Sequence, residues 1–154
     1  YEIMPSLVGS EMCIRDSERA VKRCKMAMLT EMVTGGKISE SAYLCLKLAW
    51  IYRGEIQEAK ANGAAQERIS MYEKYEKEYL EDAYRGFKQA RETEYPPIAG
   101  MDENTITYLL TSIGIHCGKI DEARRYGSAL LISRTASMKL KNKTRDVLET
   151  IKKN

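Results

Sequence analysis

Ala42-Tyr43-Leu44-Cys45-Leu46-Lys47-Leu48-Ala49-Trp50-Ile51-Tyr52-Arg53 contains one charged residue, Lys47, between Ala42 and Tyr52. Apolar residues therefore fall on nearly every side of a helix drawn through it. A helix of that kind packs against more than one neighbour. The stretch opens after Ser39 and has room to run past Gly54 towards Asn62-Gly63, a good C-terminal stop. No alternating apolar and polar segment of convincing length competes with it elsewhere in the chain. The fold class read from this is all-α.

Working outward, the same 3–4 spacing recurs. Val21, Cys24, Met28 and Met32 lie on one face of a segment from Glu18 to Thr34, with Ser17 as N-cap and Gly35-Gly36 as stop. Tyr72, Tyr75, Tyr79, Ala83, Phe87 and Ala90 form a narrow stripe on the longest segment, Ala64 to Glu94, which Pro96-Pro97 ends. The first half of that segment is expected to project. Asp102 caps a helix whose apolar face is Ile106, Leu109, Leu110, Ile113 and Cys117, and Gly118 breaks it. Asp121 is expected to cap the next, with Ala123, Tyr126 and Leu130 inward and Leu131 as a further candidate. A last segment, Ser137 to Lys152, has Leu140, Val147, Leu148 and Ile151 on one side. The architecture expected is antiparallel helix pairs stacked as a short array of about five helices, one of them long.

Composition agrees. Of 154 residues, 44% are hydrophobic and 31% charged, which suits a folded chain with one core. Only 3 prolines and 10 glycines interrupt it, which disfavours a turn-rich β-sandwich. A net charge of +3 does not demand nucleic acid or an anionic membrane. No apolar run reaches the roughly 20 residues that span a bilayer. From Arg134 to Asn154 seven basic residues face two acidic ones, yet Lys139, Lys141, Lys143 and Arg145 step by two and spread around a helix. No aromatic is interleaved for base stacking, so this end reads as a solvated cap.

The chain opens on Tyr1, which reads as a fragment. Leu7 to Ser17 resembles a peptide that recurs at the ends of unrelated environmental sequences and looks like translated adapter DNA. Residues 1–16 are accordingly set apart as a non-native or disordered tail, and 17–154 as the folded domain. Cys13, Cys24, Cys45 and Cys117 form no C-x-x-C motif. Cys24, Cys45 and Cys117 each sit among apolar residues, as buried free thiols of a cytoplasmic protein do.

Two of the helix pairs carry a pattern. Leu48-Ala49 and Tyr52, with Ala83, Phe87, Ala90 and Pro96, resemble the two helices of a tetratricopeptide repeat. The span from Gly54 to Lys77 is too long for its usual turn, which lengthens both helices. Leu110 and Gly118 to Ala123 resemble a second, degenerate repeat, with Gly114 where Tyr is usual and Gly127 where Phe is usual. Ala42 to Arg53, Gly100 to Glu103, Tyr108 to Leu110 and Gly118 to Ala123 are together similar to the helical C-terminal half of an uncharacterised bacterial family, mostly from Firmicutes. Fuller members of that family resemble a cysteine-rich, zinc-ribbon-like N-terminus followed by tetratricopeptide-like helices.

The resemblance implies a concave groove lined by the first helix of each pair. It would place Tyr43, Leu46, Trp50 and Arg53 there, followed by Thr105, Tyr108, Ser112 and His116. Aromatic, arginine and hydroxyl groups in one place suit recognition of a protein or peptide segment. The function expected is a non-catalytic helical-repeat module for protein or peptide interaction. The alternative is a fragment of a nucleic-acid-associated regulator whose metal-binding ribbon lies upstream.

Enzyme chemistry finds little support. His116 is the only histidine, and its neighbour Cys117 points about 100° away on a helix. One histidine and scattered cysteines make no metal set. Gly35-Gly36-Lys37-Ile38 lacks the upstream glycine and the hydroxyl of a phosphate loop. No catalytic residue, metal or cofactor is expected.

Overall fold

The structure, a computed structural model, describes Arg19, Lys22, Arg23, Met26 and residues 38–152. The first four are helical; the expected segment from Glu18 to Thr34 otherwise lies outside the described residues. The chain divides into two compact units, Glu2–Gly86 and Phe87–Asn154, and each is described by itself.

In the first unit, α1 is Ile38–Ala61 and buries residues on most of its circumference, from Ser39 and Ala42 to Ile56 and Ala59. It passes through Gly54 without a break, and Glu40 and Lys60 complement the dipole at its two ends. Its end is a Schellman motif. Gly63, at φ +67°, donates to the Lys60 carbonyl at 3.3 Å, and Ala64 donates to the Ala59 carbonyl at 2.9 Å. The next helix, α2, is Gln66–Thr93, and its first part returns along α1. Ala59 and Ile56 cluster with Ile69. Further along, the Tyr52 ring lies 5.8, 5.2 and 5.9 Å from those of Tyr72, Tyr75 and Tyr79. Ala42 meets Gly86, where an added Cβ would stand 2.7 Å from the alanine Cβ. Rising numbers on α1 thus meet falling numbers on α2, which makes the pair antiparallel. Both helices of the pair are long, as the extended Gly54 to Lys77 span implied. The lengthened α1 runs beside the first half of α2, so Ile69, Tyr72, Tyr75 and Tyr79 all find partners.

The second unit begins within α2. Phe87 and Ala90 are fully buried, as are Ile106, Leu109, Leu110, Ile113 and Ala123. Ile98 to Met101 closes a tight turn through paired backbone bonds of 2.8 and 2.9 Å, with Ala99 at φ +50° and Gly100 at φ +77°. That bridge is isolated, and no strand occurs among the described residues. Then α3, Glu103–His116, starts on the Asp102 cap, whose carboxylate accepts the Thr105 N–H at 2.7 Å. A second Schellman motif ends it: Gly118, at φ +77°, donates to Ile115 at 3.2 Å, and Lys119 to Gly114 at 2.8 Å.

The following α4 is Ile120–Leu131 and α5 is Met138–Lys152. Each of α3, α4 and α5 packs against the other two. The start of α3 is tied to the loop after α4, where Asn104 donates to Thr135 at 2.9 Å, so α3 and α4 are antiparallel. Asp121 is not the cap of α4. Lys119 occupies that position without a side-chain bond, and Asp121 lies in the first turn. The Schellman turn consumes Lys119 and leaves no residue between the two helices for an Asp121 cap. Gly127, where the expected repeat would carry an aromatic, also has a visible reason to be small. An added Cβ there would come within 2.9 Å of Leu148 Cδ1, so α5 fills the space a large side chain would need.

Candidate functional site

The expected groove residues divide between the two units. On α1, Tyr43, Trp50 and Arg53 are half-buried, while Leu46 is completely buried. Steps of three, four and three residues keep these four near one side of the helix. Lys47 lies between the two aromatics, half-buried, and an added Cβ on Gly54 would find nothing within 4 Å. The accessible side of α1 is therefore Tyr43, Lys47, Trp50 and Arg53, beside open space over a glycine backbone. Partial burial pushes the Tyr43 hydroxyl pKa above its ordinary value, so this side carries a neutral phenol at neutral pH.

On α3, Thr105 is half-buried and His116 exposed, while Tyr108 and Ser112 are buried at 2% and 5% exposure. Leu46, Tyr108 and Ser112 thus present no appreciable surface. What can be reached is Tyr43, Trp50 and Arg53 on one helix and Thr105 and His116 on the other.

The opposite side of α1 looks chemical at first sight. Tyr52 sits within the rings of Tyr72, Tyr75 and Tyr79, and Arg68 donates to the Tyr72 hydroxyl at 3.1 Å while lying 5.5 Å from its ring centre. Burial, helped by the neighbouring tyrosines and Glu55, pushes the Tyr52 hydroxyl up to about 12. Burial first, and Asp82 second, push the Cys45 thiol up to about 12, and it is 4% exposed. A thiol so placed holds its proton at neutral pH and is not a nucleophile. These groups are packing. Cys45 is buried and Cys117 half-buried. Among the described residues no group of three or more His, Cys, Asp or Glu could hold a metal ion. No helix among them is long and apolar enough to cross a membrane.

In the second unit a network ties α2 to the helices that follow. Lys88 pairs with Glu122. Arg91 donates to Thr107 at 3.3 Å, approaches Glu103 at 3.6 Å and lies 5.5 Å from the Tyr126 ring centre. Sequence reasoning missed a hollow of about 380 Å³ between α4 and α5. Leu131, Leu148 and Ile151 line it, with Arg124, Arg145 and Lys152 among its charged residues. The signal that could have shown it is the basic excess near the C-terminus read together with Gly127, which admits Leu148 and draws the two helices close.

No curated protein and no solved structure matches the chain. A family does, and it covers the helices of both units: residues 10–151 match a family described as uncharacterised proteins conserved in bacteria, DUF2225. The match spans most of the sequence, and the chain belongs to that bacterial family of unknown function.

Proposed function

We propose that this chain is a non-catalytic, tetratricopeptide-like module of the cytoplasm that binds a protein or peptide segment through the accessible side of α1. The observation that carries the reading is the state of Tyr43, Trp50 and Arg53. They stay half-exposed on a helix whose other sides are buried, next to the open space at Gly54. Trp, Tyr and Arg are the side chains that most often dominate binding energy at interfaces. Gly54 costs α1 about 0.5–1 kcal/mol relative to alanine, and a bare backbone there lets a partner approach closely.

The tetratricopeptide likeness is supported by the antiparallel α1–α2 pair and by burial of Leu48, Ala49, Ala83, Phe87 and Ala90, the positions its pattern requires. The inert, buried Cys45 thiol suits a reducing compartment.

The test uses Trp50, the only tryptophan. Peptides that a random displayed library yields on the full chain and that map to α1 should shift its emission and protect it from acrylamide. Trp50→Ala should abolish their binding with little loss of helical signal. If Trp50 is already shielded from acrylamide and Trp50→Ala unfolds the chain, the residue is core and this face is not the site.

A further inference from the structure

The hollow between α4 and α5 lies within the second unit, and its chemistry specifies a partner. Its floor is aliphatic: Leu131 from α4 with Leu148 and Ile151 from α5. Its volume, about 380 Å³, lies within the range of pockets that hold ligands or anchoring side chains. Its charged residues are Arg124, Arg145, Lys152 and one carboxylate, Glu149. That carboxylate already lies 3.4 Å from Lys152. Arg124 pairs with Asp121 at 3.7 Å, and Asp121 is 96% exposed, so water screens the pair. Arg145 donates to Asn142, a neutral amide, at 2.9 Å. Neither guanidinium is neutralised by a buried carboxylate at these contacts. Helix α5 as a whole carries five basic and two acidic residues.

An apolar floor between two helices, flanked by two arginines, matches an amphipathic segment that brings apolar side chains and carboxylates together. Arginine suits this better than lysine because its planar fork accepts a carboxylate in two parallel bonds. We infer that the α4–α5 hollow docks an acidic, amphipathic segment of a partner protein, with its apolar side chains on Leu131, Leu148 and Ile151 and its carboxylates on Arg124 and Arg145. Nucleic acid fits less well, because none of the residues lining the hollow is aromatic and so none can stack on a base.

The experiment selects a random displayed peptide library on the full chain, then maps each enriched peptide by nuclear magnetic resonance and by variants. The expected peptides pair Asp or Glu with apolar residues at helical spacing and perturb residues of α4 and α5. Arg124→Glu with Arg145→Glu should weaken them at least about tenfold, or about 1.4 kcal/mol. Ser128→Trp, an exposed residue beside the hollow, should do the same by filling it. Trp50→Ala should leave them unchanged, which separates this surface from the α1 face. The inference fails if no enriched peptide maps to α4 and α5, or if those that do are basic or neutral. It fails equally if pattern-scrambled acidic peptides bind as well. Preferential binding of phosphatidylglycerol vesicles or a DNA duplex at the same residues would overturn it. So would self-association of the chain that Arg145→Glu abolishes.

Discussion

Phe87 has no exposed surface, and neither do Leu48, Ala49 or Ala83. Phe87→Ala should cost about 3–5 kcal/mol in a denaturant melt, because the cavity adds to the lost transfer energy. A loss under about 1 kcal/mol would show that the ring is not core. These buried positions were legible in sequence because each falls at helical spacing within a repeat pattern. Tyr84, Leu80 and Thr144 were not, although all three are buried. Thr144 turns its hydroxyl to the Leu140 carbonyl at 2.8 Å, which lets a polar residue occupy an inward position no apolar pattern reveals. Tyr52 and Cys45 carry a pH prediction. Their protons are held up to about 12 in the fold, above ordinary values of 10.0 and 9.0. The native state therefore keeps protons that the unfolded chain releases. Stability from these groups is whole below about pH 9 and is lost progressively between there and about pH 12. Tyr52→Phe and Cys45→Ala should each flatten that alkaline decline in melting temperature.

At the scale of the element, two glycines should respond oppositely. Gly54→Ala, in open space inside α1, should stabilise the chain by about 0.5–1 kcal/mol. Gly118→Ala forces a Cβ into the left-handed region at the end of α3 and should cost about 1–2 kcal/mol. Thermal melts with the sign reversed at either position would refute the helix boundaries. The Asp102 cap adds an acid-side effect. Bonds from the Thr105 side chain and backbone hold its carboxyl below the usual range, so its contribution fades as pH falls through that range. Asp102→Asn should keep the cap and remove the fade. Boundaries marked by Gly63, Asp102 and Gly118 were readable because capping is local chemistry. The start of α4 was not, because Lys119 belongs to the preceding Schellman turn and displaces the more obvious cap, Asp121.

For the whole molecule, α2 belongs to both compact units, with the division between Gly86 and Phe87. A helix propagates cooperatively through its hydrogen bonds. Loss of Trp50 fluorescence, which reports the first unit, should therefore coincide with loss of total helical signal. Gly86→Pro, which interrupts α2 at the division, should separate the two transitions. Fold class was legible across the sequence because periodicity repeats in every segment. The α4–α5 hollow was not, because Arg124 and Arg145 lie far apart in sequence and meet only through the Gly127–Leu148 approach.

Cys45 also makes the fold its own timekeeper. The residue is 4% exposed and its thiol keeps its proton at neutral pH, so an alkylating reagent has almost nothing to attack in the closed state. Modification must wait for α1 and α2 to part. With reagent in excess, the mass gained on the peptide containing Cys45 then counts openings rather than chemistry. Iodoacetamide pulses of increasing length would read the rate at which this helix pair breathes, with no residue substituted to report it. A ligand on the accessible side of α1 should slow that clock.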